Sequence, residues 1–250
     1  MTENYIVEIK DVHKSFDSKK VHTGINLSIK QGENITVLGG SGSGKSVLLK
    51  EITGLIKPDM GDVIIEHENI VPMDEADLVH VRKKIGMLFQ GAALFDSLTV
   101  AENIAYPLRE SSNFTEDDIK KVVSTNLELV GLEGIEDKLP SDLSGGMRKR
   151  VGLARAMAMN PKILLYDEPT TGLDPPNTSR INNLIRDMQK KFGITGVIIT
   201  HDVKSAFEIS DRIAFLHRGK IIFEGTVDEA QNSDIELLMD FIQGRIEYDD

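Results

Sequence analysis

Residues Asn34–Ser46, NITVLGGSGSGKS, decide the reading of this 250-residue chain. Asn34 to Leu38 reads as an apolar strand, Gly and Ser take over until Lys45, and a helical pattern runs on to about Thr53. The run Gly39-Gly40-Ser41-Gly42-Ser43-Gly44-Lys45-Ser46 fits G-x-x-x-x-G-K-[ST] after a strand and before a helix, the setting that pattern requires. Glycines let successive backbone N–H groups turn inward around phosphates. The following helix brings its positive dipole end to the same anion. Lys45 then reaches the β- and γ-phosphates, and the Ser46 hydroxyl is placed to ligate Mg²⁺. These residues imply a bound nucleotide, ATP first among them.

Outward from this loop, strands alternate with helices. Tyr5 to Lys10 alternates apolar and polar residues as a half-buried strand does. Asp62–Glu66, Ile85–Phe89, Ile163–Tyr166 and Gly196–Thr200 read as further strands, with two short ones around Gly219. Thr115 and Asp118 make a capping box before Ile119, Val122, Val123, Leu127 and Val130. Pro175-Pro176 opens another helix, and a third lies near Val203–Ile209. Such alternation predicts a mostly parallel sheet covered on both faces. From about 97 to 160 no strong strand occurs, so this stretch reads as a helical insertion.

Ile163-Leu164-Leu165-Tyr166-Asp167-Glu168 is a second anchor. An apolar strand ending in two acids puts both carboxylates at the sheet's C-terminal edge, where open α/β sheets bind ligands. Asp167 suits a contact to Mg²⁺, and Glu168 suits a base that orients and deprotonates water. Alone this pair would be a surface turn; downstream of a phosphate loop it reads as catalytic.

Composition narrows the class. Hydrophobic residues make up 40% and charged residues 28%, as in a globular protein. No apolar run approaches the 18 or so residues of a membrane span, and the N-terminus shows no secretory signal. Cysteine is absent, so there is no disulfide and no thiolate metal site. These features fit a cytoplasmic location. A net charge of −11 argues against coating nucleic acid, which needs clustered Lys and Arg. The basic runs Arg82-Lys83-Lys84 and Arg148-Lys149-Arg150 read as solvated faces.

Further motifs fall in an order that resembles the ABC-type ATPases. Leu143-Ser144-Gly145-Gly146-Met147 is similar to their signature motif and lies between the phosphate loop and Asp167. Gln90 resembles the Q-loop glutamine, Gly172-Leu173-Asp174 the D-loop, and His201 the switch histidine after a strand. Phe16 by itself reads as core, yet it stands where the family has an aromatic that stacks on adenine. The resemblance implies an α/β fold: a P-loop NTPase (RecA-like) core, an antiparallel β-subdomain and an inserted helical subdomain. It implies one domain over 5–240, helical at about 97–160, with a tail at 241–250.

For the site, the resemblance implies ATP and Mg²⁺ as cofactors. It adds Phe16, Val21 and Val47 to the phosphate loop as nucleotide contacts, and Gln90 to Ser46 and Asp167 as metal-sensing groups. Glu168, His201 and Gln90 are the implied catalytic residues. Ser144, Gly145 and Gly146 would close over ATP held by a second copy, with Asp174 communicating between the two sites. A homodimer follows from one phosphate loop and one signature per chain. The signature's fifth position, usually Gln in the family, is Met147 here.

That Met, with Met87–Phe95 and Asn103–Glu110, is similar to ATPase subunits of MCE-linked, Mla-type phospholipid transporters. This branch implies an integral membrane permease as partner, with a STAS-domain protein and an MCE substrate-binding protein. It implies a peripheral location on the inner face of the cytoplasmic membrane. Leu94, Phe95 and Leu98 are then expected to line a groove for a short cytoplasmic helix of the permease. The alternative class is a soluble ABC ATPase. DNA-repair relatives carry a long coiled coil, for which the roughly 50 residues between Gln90 and Leu143 are too few. Translation relatives usually carry two phosphate loops, whereas cofactor-assembly relatives remain as an alternative. Glu168 and His201 together speak against a non-hydrolysing module.

Overall fold

The computed structural model describes residues 4–111 and 113–245. Two sheets carry the strands. A four-stranded antiparallel sheet has the order β2-β1-β4-β5, from β1 (Tyr5–Phe16), β2 (Lys19–Lys30), β4 (Met60–Ile65) and β5 (Glu68–Asn69). A six-stranded sheet has the order β10-β9-β3-β8-β7-β6, from β3 (Asn34–Leu38), β6 (Ile85–Leu88), β7 (Ile163–Asp167), β8 (Thr195–Thr200), β9 (Arg212–His217) and β10 (Lys220–Thr226). Pairs β9–β3, β3–β8, β8–β7 and β7–β6 are parallel; only β10 runs against its neighbour. The result is an α/β architecture in which a mostly parallel sheet is joined by a separate antiparallel one.

Side-chain alternation along the parallel strands divides the core. On β7, Ile163 and Leu165 enter one cluster with Ile35, Val37, Val197 and Ile199. That cluster also holds Leu48 and Leu49 of α1 (Lys45–Ile52) and the inner face of the antiparallel sheet. Leu164 and Tyr166 point the other way, into a second cluster with Ile198 and the helices α3 (Val100–Glu110), α4 (Glu116–Leu129), α5 (Gly145–Met157) and α6 (Pro175–Phe192). Each fully buried Leu or Ile contributes about 1.5–3 kcal/mol relative to exposure. The sheet is therefore fixed in register from both faces.

Between β6 and β7 the described residues form α3, α4, a single 3-10 turn (Pro140–Asp142) and α5, with no strand. Thr115 caps α4 in a reciprocal box with Asp118, and Thr99 does the same for α3 with Glu102. Three elements lack a clear sequence signal. β2 interrupts its alternation with His22, Gly24 and Asn26. α2 (Glu75–Arg82) is short and mostly polar. A helix at Glu236–Ile242 crosses position 240 and buries Phe241, so the expected tail begins inside a helix; residues 246–250 lie outside the described residues.

The basic runs are not simply solvated. Lys149 and Arg150 are buried. Arg150 Nη1 donates to the carbonyls of Val130 and Gly131 at 3.0 and 2.9 Å, tying α5 to the end of α4. Arg82 donates to Thr53 and Gly54 carbonyls at 3.0 and 3.2 Å. Backbone carbonyls left over at helix ends receive these guanidinium groups, and Arg82 also donates to Glu75 at 2.7 Å.

Candidate active site

β3 is buried along its whole length and delivers Gly39 to the sheet's C-terminal edge. A Cβ at Gly39 would lie 2.6 Å from the Leu216 carbonyl oxygen, so only glycine fits there. Gly44, with φ of +106°, precedes α1 without any side-chain cap on the helix start. The free N–H groups of α1 thus face the loop as an anion site. Lys45, 7% exposed, donates to the carbonyls of Gly39 and Gly40 at 2.8 and 2.9 Å. Burial pulls its pKa below the usual lysine range, against the opposing charges of Glu168 and Asp167. Ser43 Oγ is buried with no hydrogen-bond partner among the described residues. An orphaned hydroxyl inside a cradle of glycines fits a phosphate oxygen.

Parallel pairing brings the acids to the same edge. Ser46 Oγ donates to Asp167 Oδ1 at 3.4 Å. Burial, then the neighbouring Glu168 charge, raises the Asp167 carboxyl above the usual range. A hard cation between these oxygens would relieve that cost, and the oxygen-only donor pair suits Mg²⁺.

Glu168, 8% exposed, sits at φ +46°, a conformation that costs of order 1 kcal/mol or more for a non-glycine residue. Its surroundings hold it there. Its N–H donates to the Ile199 carbonyl at 2.9 Å, and its own carbonyl accepts from Lys149 Nζ at 3.0 Å. One carboxylate oxygen accepts from Thr200 and Thr171 hydroxyls at 3.0 and 3.1 Å, and the other lies 3.0 Å from His201 Nδ1. With Nδ1–H directed at Glu168, Nε2 of the exposed His201 ring is left to face outward. Lys45 Nζ lies 3.9 Å from the same carboxylate. Gln90 follows β6 in an exposed turn, two residues after Leu88, which pairs with Tyr166.

Ser144 and Asp174 stand at the starts of two helices, α5 and α6. Ser144 caps α5, accepting from Met147 N at 3.3 Å, and both Ser144 and Gly145 are exposed. Gly146 is buried: a Cβ there would meet Asn177 Oδ1 at 2.6 Å. Asp174 caps α6 and accepts from Asn177 N and Nδ2 at 2.9 and 3.1 Å, so Asn177 joins the signature helix to Asp174. Phe16 is not core; it is 42% exposed at the end of β1, with Lys14 Nζ 5.4 Å from its ring centre. Val21 lies against Gly44, and Val47 is half-buried on α1. Exposed Ser41 and Gly42 form the loop's crest, and Gly40 is buried. Lys149, Thr171, Thr200 and Asn177 escape the sequence reading because ordinary residue types acquire their roles only through folding.

The sequence profile of the family described as ABC transporter matches residues 22–171. The chain belongs to this family and is an ATP-binding, ATP-hydrolysing cassette within it. It is similar to a probable ribonucleotide transport ATP-binding protein, Mkl, of Mycobacterium leprae, at 40% identity over 96% of this chain and 69% of that one. It is also similar to the methionine import ATP-binding protein MetN of Carboxydothermus hydrogenoformans, at 43% over 90% of this chain and 67% of MetN. The intermembrane phospholipid transport ATP-binding protein MlaF of Haemophilus influenzae is 35% identical over 98% of this chain and 92% of its own length. Among solved structures, a dimeric ATP-binding cassette in a post-hydrolysis state with ADP and Pi superposes with a TM-score of 0.82, at 34% identity over 88% of this chain and 98% of that one.

Proposed function

We propose that this chain works as a homodimer whose two shared sites hydrolyse Mg·ATP to drive a membrane permease that moves phospholipid between envelope membranes. The observation that carries the dimer is the split site. Lys45 and Glu168 are buried within their own chain, whereas Ser144 and Gly145 at the signature helix start are exposed. The dimeric cassette with ADP and Pi supports the same reading.

Each residue then has a role. The amides of Gly40–Gly44, Lys45, Ser46 and Val47 hold the phosphates, with Phe16 and Val21 on the adenine side. Ser46 and Asp167 hold Mg²⁺, with Gln90 alongside. No group of three or more His, Cys, Asp or Glu gathers among the described residues to cage a metal. Two protein oxygens would therefore share the ion with phosphate and water, as Mg²⁺ prefers. Glu168 accepts the proton of the attacking water, and His201 Nε2 faces the γ-phosphate. Ser144, Gly145 and Gly146 cover the γ-phosphate of the partner copy, and Asp174 links the sites through Asn177.

No helix among the described residues is long and apolar enough to cross a membrane. In the proposed reading a separate permease supplies the passage, and this chain sits peripherally at the inner face of the cytoplasmic membrane. Its docking place is a groove of about 880 Å³ lined by Phe89, Phe95, Tyr106, Pro107, Arg155 and Met159. Phe95 is 43% exposed and packs against Tyr106, with ring centres 4.8 Å apart and the rings tilted by 45°. Leu94, by contrast, packs against the helical core, and Leu98 is half-buried, so of these three Phe95 is the one offered outward.

The phospholipid cargo rests on the similarity to MlaF over nearly its full length. An MCE protein and a STAS-domain protein complete that assembly. A small-solute cargo is the second reading, favoured by the 43% identity to MetN. Phe95→Asp tests the docking. The variant should stay folded by circular dichroism and bind ATP, yet lose permease-stimulated hydrolysis and transfer of labelled phospholipid in reconstituted membranes. Full coupled transport by a folded variant would sink the docking assignment. Coupled hydrolysis without phospholipid transfer in the unaltered protein would favour the small solute.

A further inference from the structure

Beneath the phosphate loop lies a polar pair that the nucleotide chemistry leaves unused. His22 on β2 and Glu51 on α1 are each 1% exposed. His22 Nδ1 is 2.9 Å from Glu51 Oε2, and Nε2 is 3.1 Å from the Gly44 carbonyl oxygen. A peptide carbonyl only accepts hydrogen bonds, so Nε2 carries a hydrogen and donates it to Gly44. The second proton sits between Nδ1 and the carboxyl, and on either partner it leaves the pair neutral overall. Two apolar side chains of similar volume would be a cheaper filling for such a place. Glu51 Oε1 also has no hydrogen-bond partner among the described residues, which adds to the cost.

What the pair touches gives it a role. A Cβ at Gly44 would lie 2.7 Å from His22 Nε2 and 3.0 Å from Val21 Cγ1, so β2 rests directly on the loop. The Gly44 carbonyl also accepts from Leu48 N at 3.0 Å. In a trans peptide the carbonyl and the next N–H point in opposite directions. Two donors on the Gly44 carbonyl therefore fix the Lys45 N–H, which points out of the helix start toward the anion site.

We propose that His22 and Glu51 are positioning residues that lock the Gly44–Lys45 peptide for the nucleotide phosphates and tie the strand bearing Val21 to α1. The inference rests on the reading of Gly39–Ser46 as the phosphate site, and Lys45→Ala serves as the control for that reading. The probe is Mg·ADP, titrated calorimetrically so that turnover does not intervene. The double variant His22→Leu/Glu51→Leu removes both polar groups and keeps the space filled. It should unfold at a temperature equal to or above that of the unaltered protein, yet bind Mg·ADP at least fivefold more weakly. His22→Gln, whose amide N–H can reach the same carbonyl, should recover most of that affinity.

A folded double-leucine variant with affinity within twofold of the unaltered chain would overturn the positioning role, provided Lys45→Ala has lost affinity. If Lys45→Ala binds normally, the phosphate-site reading itself fails. Should the double variant not fold, nitrogen-15 spectroscopy of the histidines in the unaltered protein decides. Nε2 of His22 should be protonated at neutral pH, and its resonance should move when Mg·ADP binds. An unprotonated Nε2 would exclude the bond to Gly44 and with it the proposal.

Discussion

Lys45 and Glu168 are 7% and 8% exposed and each holds several hydrogen-bond or charge partners, whereas Ser144, Gly145 and Asp174 face solvent. In the proposed reading both regions serve phosphate, but Lys45 and Glu168 are enclosed by their own chain and Ser144, Gly145 and Asp174 are not. Ser144 and Asp174 each have a local reason to exist, as N-caps of α5 and α6. Nothing in the fold requires Gly145 beside Ser144 to be left uncovered. In that reading the chain completes one half of a site itself and presents the other half to a partner.

The largest effect should come from the enclosed half. Glu168→Gln keeps the side chain's size and its contacts to Thr171 and Thr200, but removes the proton acceptor. Turnover should fall by about a hundredfold to ten-thousandfold while Mg·ATP binding persists. A steady-state ATPase rate within twofold of the unaltered protein would remove Glu168 from this role. Lys45→Ala should act on binding instead. A charge-assisted contact to phosphate contributes about 1.5–3 kcal/mol, or roughly ten- to hundredfold in affinity. Calorimetry showing no loss would mean that the enclosed half does not hold phosphate.

The comparison itself can be broken by mixing. A dimer of one Lys45→Ala chain with one Ser144→Arg chain has both lesions in one site and none in the other, if the exposed half serves its partner. Two inactive variants should then recover part of the ATPase rate, up to about half, when one intact site turns over. Verified heterodimers that stay inactive would count against shared, independently working sites.

What the sequence made legible follows the same division. The phosphate loop, Asp167-Glu168 and the strand patterns on β3, β7 and β8 are readable because each depends on neighbours within a few positions. β3 and α7 (Val203–Ile209) begin and end where the pattern places them. β2 is not readable, because its inward His22 answers to Glu51, 29 positions away. Lys149 looks like part of a solvated basic run until α5 packs against β6 and turns its ammonium onto the Glu168 carbonyl. Burial then holds its pKa below the usual lysine range, against the opposing charges of Asp167 and Glu168. Phe16 reads as core from its residue type, yet it sits at the exposed end of β1, just before the turn at Asp17 (φ +51°). For His22 and Lys149 a contact distant in sequence overrides the local preference, whereas for Phe16 the end of its strand does.

The smallest expected effect separates the two duties of Ser144. Its side chain makes one cap bond, to Met147 N at 3.3 Å. Met147 occupies the third helical position, where Glu or Gln would return a bond to the cap residue's N–H. Thr115, far from the nucleotide site in sequence, makes the full reciprocal box with Asp118. Replacing a cap by alanine costs about 0.5–2 kcal/mol, and in a chain of this size about 1 kcal/mol lowers the unfolding temperature by roughly 2–4 °C. Ser144→Ala should therefore destabilise the nucleotide-free chain no more than Thr115→Ala. With saturating Mg·ATP in a Glu168→Gln background, binding and dimer closure should raise the unfolding temperature by mass action. Thr115→Ala should keep that rise in full, and Ser144→Ala should lose part of it, because only Ser144 also meets the partner's phosphate. Equal rises in the two variants, measured by calorimetric scans at matched protein concentration, would reduce Ser144 to a helix cap and leave the exposed half without its phosphate contact.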